Sequence, residues 1–241
     1  MSTTREPSTT RASAEAPRPK LGRPRAVAAP ANSGEPREEI LTAAASLFAA
    51  EGYRQTSTKK VAEAVGLRQG SLFYYFPKKE DILKELLDRT VDGSIEFLAR
   101  LQAHPAEPDV MLYAWIHRDL RTLTSPPGGL GRLAFLPEAR TTRFAKFWDK
   151  HARLLEAYDR FIEAGMADRT FKAADVATTS RILCGLVEGA ATWEPPTDIL
   201  DEQWWRAVSD FALSSVLADT SRIDHVRDGA LKLVSELDAE D

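Results

Sequence analysis

The sequence predicts an all-α fold, with a small three-helix head carrying a helix-turn-helix and a larger helical body behind it. Three observations lead there. Apolar residues recur at helical spacing in one stretch after another, and nowhere does a period-two alternation persist. Prolines and glycines fall between those stretches. Charge is divided unevenly: residues 1–80 hold 13 Lys and Arg against 8 Asp and Glu, whereas residues 81–241 hold 19 against 28. A basic front on an acidic body implies an anionic partner for the front alone.

Residues 1–35 are rich in Ser, Thr, Ala and Pro and show no apolar period, so they read as a disordered tail. Prolines at 7, 17, 19, 24 and 30 argue against the amphipathic helix of a transit peptide. Within the tail, Lys20-Leu-Gly-Arg-Pro-Arg25 is a short basic motif. Either Arg23 and Arg25 lie along a minor groove, or the segment only keeps the chain in solution.

The head follows, over residues 36–80. Ile40, Ala44, Leu47 and Phe48 share one helical face, and Gly52 is a natural stop. The hydroxyls of Gln55-Thr-Ser-Thr58 offer N-caps to a short helix carrying Val61, Ala62 and Val65. Gly66 ends that helix, because the turn favours a residue tolerant of positive φ. Leu67 turns back to the core. A third helix runs from Gln69 to Tyr75, and Pro77 closes it.

The body, residues 81–241, continues in helices near 79–102, 108–124, 130–164 with a break around Pro137, 173–193, 199–219 and 221–238. The clearest breaks are Ser125-Pro-Pro-Gly-Gly129 and Glu194-Pro-Pro-Thr197.

Composition excludes several classes of function. With 43% hydrophobic and 28% charged residues the chain can build a core. No run approaches eighteen consecutive apolar residues, so no membrane helix is expected. Cys184 is the single cysteine, and His104, His117, His151 and His225 are scattered, so neither a disulfide nor a metal or cofactor site is expected. No nucleophile–base pair, paired carboxylates or phosphate-cradling loop is apparent, which argues against an enzyme. A reducing cytoplasm is the expected compartment.

Two short helices around a glycine turn, flanked by lysines, form a candidate helix-turn-helix. The string Val65-Gly-Leu-Arg-Gln-Gly-Ser-Leu-Phe-Tyr-Tyr-Phe-Pro-Lys-Lys-Glu-Asp-Ile-Leu83 resembles the DNA-binding signature of the tetracycline-repressor (TetR) family. The resemblance covers about residues 36–85. It implies a bacterial, nucleoid-associated transcription regulator that binds a double-stranded DNA operator as a homodimer and answers to a small-molecule effector.

The side chains suit that role. Gln69, Gly70 and Ser71 open the recognition helix, where the approach to base edges is closest. Gln69 suits adenine, Ser71 suits any base or a thymine methyl, and Gly70 lets the backbone come near. By family position Lys59 is a further base contact, Thr58 and Tyr75 grip phosphates, and Tyr74 joins the same face. Lys79 opposes the dipole of the helix it begins, which makes sense if a phosphate lies beyond that helix end. Arg68 departs from the family's usual serine cap, losing about 1 kcal/mol but gaining a cation for phosphate or guanine.

The resemblance also implies that the last two large helices pair with a twin. Leu183, Leu186, Val187, Ala190, Phe211, Leu213, Val216 and Leu217 supply apolar faces, and Gly185 and Gly189 permit close approach; the same side chains also suit burial within one subunit. The family's effector pocket lies among the middle helices of the body. The candidates here are Trp115, Arg118, Phe144, Phe147, Trp148, His151 and Cys184, with Arg118, Arg121 or His151 anchoring an anionic group on a hydrophobic or amphiphilic ligand. Ordinary core packing is the alternative for each aromatic. Two other readings stay open: an activator or ligand-independent regulator, and a helical binding module or enzyme with a vestigial head.

Overall fold

The computed structural model describes residues 35–124, 131–192 and 201–239. Arg23, Arg25 and the two proline-rich breaks lie outside the described residues. Ten α-helices and three 3-10 turns make up the described chain. No β-strand occurs among the described residues; Phe171 and Leu217 form a single isolated bridge. None of the described helices is long and apolar enough to cross a membrane.

Helix α1 spans Pro36–Glu51, with proline in its first turn beside Glu38 and Glu39, which suit the positive helix end. It buries Ile40, Leu41, Ala44, Ala45 and Phe48. Helix α2, Thr58–Ala64, is capped by Ser57, whose hydroxyl accepts the Lys60 N–H at 3.1 Å. The neighbouring threonines do other work. Thr56 is fully buried and its hydroxyl donates to the Gly52 carbonyl at 2.9 Å. Gly66 has φ +66°, the Leu67 N–H reaches the Ala62 carbonyl at 2.8 Å, and the Gly66 N–H reaches Glu63 at 3.1 Å. This is a Schellman close, and the left-handed residue at its centre is why glycine stands there. Helix α3, Gln69–Tyr75, stops ahead of Pro77. Val61, Val65, Leu72 and Phe76 fill the space between the three helices.

Helix α4, Lys79–Ala103, has 25 residues and is therefore about 37 Å long. Its first turns pack on α1 and the rest on the body. Charge reinforces the first contact: Arg89 bridges Glu38 (2.6 Å) and Glu85 (2.9 Å), and Arg37 also pairs with Glu85. Helix α5, Pro108–Thr124, is the axle of the body and touches α4, α7, α8, α9 and α10. That explains why its buried residues lie all round it, among them Tyr113, Trp115, His117 and Asp119.

The expected helix over 130–164 is divided more deeply than its sequence suggests. A single turn, α6 (Gly131–Ala134), leads into 3-10 turns at Pro137–Arg140 and Thr142–Phe144, and α7 runs Ala145–Ala167. Pro137 begins the first 3-10 turn, where its missing N–H costs nothing. Gly165 sits where α7 meets Phe171; a Cβ there would lie 2.2 Å from that ring. The later helices are trimmed by caps. Helix α8 is Val176–Thr192, with the Asp175 carboxylate accepting the Thr178 N–H at 2.8 Å. Helix α9 is Glu202–Val216, with Asp201 accepting the Trp204 N–H at 2.9 Å. Helix α10, Ile223–Asp238, closes the body against α5.

Candidate nucleic-acid interface and body cavity

Helices α2 and α3 present one exposed surface. Lys59, Arg68, Gln69, Gly70, Ser71 and Tyr74 are all exposed, Tyr74 at 85%. A Cβ on Gly70 would meet nothing within 4 Å, so the subunit's own packing does not require glycine there. The Gln69 amide donates to the Thr58 hydroxyl at 2.9 Å, which joins the start of α3 to the start of α2. Arg68 occupies the N-cap position of α3 without a side-chain cap bond. Lys59 makes only a loose i,i+4 pair with Glu63 at 3.7 Å, both side chains well exposed. Such a pair is worth a few tenths of a kcal/mol and leaves the ammonium available. Tyr75 is half-buried, with Tyr74 edge-on at 5.2 Å.

Lys79 has partners within its own subunit. Its ammonium donates to the carbonyls of Tyr53 (2.7 Å) and Thr56 (2.9 Å) and lies 4.2 Å from the centre of the Tyr53 ring. The lysine that opposes its own helix dipole therefore ties the turn between α1 and α2, with two of its three N–H donors engaged there. Its burial there pushes its pKa down. The lysine free of such carbonyls is Lys78, which is exposed.

The body encloses a small, partly open cavity of about 50 Å³ between α4, α5, α6, α7 and α8. Leu87, Val91, Phe135, Phe147 and Leu154 form its apolar wall. Of the seven residues expected to line a pocket, Phe147, His151 and Cys184 do so. Four do not. Trp115 is buried behind the wall, between Phe97 and Tyr158. Phe144 is fully buried ahead of α7. Trp148 turns outward, donating to the Ala139 carbonyl at 2.7 Å beneath the Arg140 guanidinium. Arg118 pairs with Asp238 at 3.0 Å, as Arg121 does at 3.1 Å. The common reason is the angular width of a helix: α5 and α7 are in contact on several sides, and only one narrow stripe of each meets the cavity.

The polar end of the cavity was not foreseen as a unit. Asp119, 9% exposed, accepts a hydrogen bond from the Tyr158 hydroxyl at 3.3 Å. His151 Nε2 lies 2.8 Å from the Glu188 carboxylate. Burial pushes the Asp119 carboxyl up to about 6, with Glu188 adding to the rise and His151 opposing it. Burial likewise pushes the Cys184 thiol and the Tyr158 phenol well above their usual ranges, so both stay protonated. A signal for Asp119 existed in the sequence: it stands three and four residues after Ile116 and Trp115, on an otherwise apolar face. Glu188 stands one turn beyond Cys184 in the same way. No group of three or more His, Cys, Asp or Glu able to hold a metal occurs among the described residues.

The pairing faces also separate. Leu183, Val187, Ala190, Leu213, Val216 and Leu217 are buried within the subunit. What α8 and α9 leave outside is Ile182 (65% exposed) and Phe211 (70%), with open space above Gly185 and Gly189. Trp205 turns inward and donates to the Thr124 hydroxyl at 2.8 Å, while Trp204 is half-buried.

Residues 40–86 match the family model described as bacterial regulatory proteins, tetR family. The chain is 26% identical over 165 residues to the HTH-type transcriptional repressor KstR2 of Rhodococcus jostii, covering 66% of this chain and 80% of that protein. The crystal structure of Mycobacterium smegmatis AmtR superposes with a TM-score of 0.66 at 32% identity, over 85% of this chain and 98% of that one. AibR, solved with isovaleryl coenzyme A and operator DNA, shares the fold at a TM-score of 0.64 and 18% identity. With its exposed helix-turn-helix and its all-helical body, the chain belongs to the tetR family of bacterial regulatory proteins and is a DNA-binding transcriptional regulator.

Proposed function

We propose that the chain is a dimeric, cytoplasmic repressor released from a palindromic operator by a small molecule bound in the body cavity. The reading divides the chain into a DNA-binding head over residues 36–80 and an effector and dimerisation body over residues 81–241. One observation carries it. The segment that walls the cavity, Gly131 to Phe147, also reaches the head: Glu138 pairs with Arg54 at 2.8 Å, and Arg143 pairs with Asp81, the first body residue, where α4 leaves the head. A ligand that shifts the wall acts on both contacts. By linkage it weakens DNA binding by the factor by which DNA weakens its own.

On the head, Gln69, Ser71 and Lys59 are assigned to base edges, with Gly70 giving the backbone room. Thr58, Arg68, Tyr74 and Tyr75 are assigned to phosphates or the groove rim. The dimer uses the exposed α8–α9 face, where Ile182 and Phe211 are apolar and the two glycines admit a close partner. Two recognition helices about 34 Å apart then meet successive major grooves.

The test is a titration of the full chain against DNA upstream of its own gene, at several salt concentrations. A dimer with about 8 phosphate contacts gives a log–log slope of about −7 and discriminates against scrambled sequence. Equal binding to both sequences would overturn the reading in favour of a binding module with a vestigial head.

A further inference from the structure

The charge of the cavity defines the ligand it accepts. Among the described residues, its lining includes no lysine or arginine. Arg118, the guanidinium adjacent to Asp119 in sequence, is engaged with Asp238 and lies over the Phe97 ring. Two carboxyl groups, Asp119 and Glu188, and one imidazole, His151, face the space. Whichever protonation state His151 takes, carboxylates outnumber cations. If the imidazole is charged it is matched by Glu188 at 2.8 Å, and Asp119 is left over. Asp119 is nine-tenths buried, and the side-chain hydrogen bond it accepts, from Tyr158, is long at 3.3 Å. A carboxylate has about four acceptor positions, and burying one with so few of them satisfied is costly. The rest of the wall is hydrocarbon and aromatic.

We propose that the cavity binds a lipophilic amine, with Asp119 as the counter-ion to its ammonium group and the Leu87–Val91–Phe147–Leu154 wall around its hydrocarbon part. This rests on the reading of the cavity as the effector site, and it reverses the anionic head group that the sequence suggested. The ammonium supplies the hydrogen bonds and the charge that Asp119 lacks. A carboxylate head in the same place faces two acidic groups at short range in a low-dielectric pocket, where repulsion is poorly screened. A neutral alcohol falls between the two.

The probes are octylamine, 1-octanol and octanoate, which share a chain and differ in head group. Binding to the full-length protein is followed by calorimetry at pH 7.5 and checked by intrinsic tryptophan fluorescence, to which Trp148, 5.2 Å from His151 between ring centres, contributes. Octylamine is expected to bind at least about tenfold more tightly than octanoate. Asp119→Asn should erase most of that preference, with octylamine affinity falling more than octanol affinity. Should Asp119→Asn fail to fold, Glu188→Gln gives the second arm, with a smaller loss of the same preference. Octanoate binding as tightly as octylamine, or no binding of any probe, overturns the proposal. Operator DNA in the same cell separates the two readings: octylamine binding without release of DNA refutes ligand-relieved repression and leaves the amine site standing, whereas octanoate binding with release does the reverse.

Discussion

Arg54, in the turn after α1, and Glu138, in the 3-10 turn ahead of α7, are 84 residues apart in the chain and form an ion pair at 2.8 Å across the boundary of head and body. The Arg54 guanidinium holds the Glu138 carboxyl below its ordinary range. Both side chains keep solvent contact, so the pair contributes little to stability, less than about 1 kcal/mol. Its value lies in where it is. Arg54→Ala should leave the denaturation midpoint nearly unchanged while reducing the ratio of operator affinities measured without and with effector. A stability loss above about 2 kcal/mol would make the pair structural instead.

Gln69→Ala should relax specificity at one base position by roughly 1–3 kcal/mol, whereas Arg68→Ala should weaken binding to all sequences and reduce the salt slope by about 1. Titrations against a set of single-base operator variants distinguish the two. Uniform weakening by Gln69→Ala would mean that its bond to Thr58, which orients α3 against α2, is its main contribution.

Lys79→Ala removes the ammonium that joins two carbonyls to the Tyr53 ring. Those carbonyls are part-buried, so the expected cost is about 1–3 kcal/mol of stability, read from a urea midpoint. Unchanged stability together with a flatter salt dependence would return Lys79 to the phosphate role that its position in the sequence suggested.

Asp119 and His117 bias stability in opposite pH windows. The folded Asp119 carboxyl sits near 6, above its unfolded value, because of burial, with Glu188 adding and His151, Tyr158 and Arg118 opposing. Its contribution is therefore complete below about pH 4 and lost as pH rises through 6. Asp119→Asn should accordingly stabilise the protein at pH 8, by up to about 3 kcal/mol, and be close to neutral at pH 4. His117 is depressed to about 4 by burial, with Arg121 and Arg206 lowering it further and Glu202 and Asp238 opposing. Its contribution is present above about 6.5 and lost as pH falls through 4. Thermal melts of the wild type and Asp119→Asn from pH 4 to 8 separate the two; equal melting at every pH would show Asp119 to be relaxed by water.

Gly165→Ala places a methyl 2.2 Å from the Phe171 ring, and a buried aromatic there cannot retreat without disturbing its bridge to Leu217. A cost of about 1–3 kcal/mol is expected. Phe171→Leu should relieve it, so the double variant should lose less than the two single variants summed. Strict additivity would show that the two positions do not meet.

Most helices and the family were legible in the residues, because both rest on local information. The apolar spacing of Ile40 to Phe48, the glycine at 66 and the proline at 77 act within a few residues, and the string from Val65 to Leu83 is contiguous. Helix ends drifted by up to three residues where a cap decided them: Asp175 and Asp201 start α8 and α9 later than the apolar pattern suggests. Which side chains meet was settled by how the helices pack. Trp115 and Trp148 were reasonable pocket residues by type, yet rotation about α5 and α7 turned them away; Phe144 is buried in the 3-10 turn ahead of α7, and Asp119, Tyr158 and Glu188 come together from three helices. Lys79 looked free until the fold set the carbonyls of Tyr53 and Thr56 beside it. Helical period assigns a residue to a face; which neighbour covers that face, and so whether a charge stands beside a cation, a carbonyl or an empty cavity, is fixed only when the helices pack.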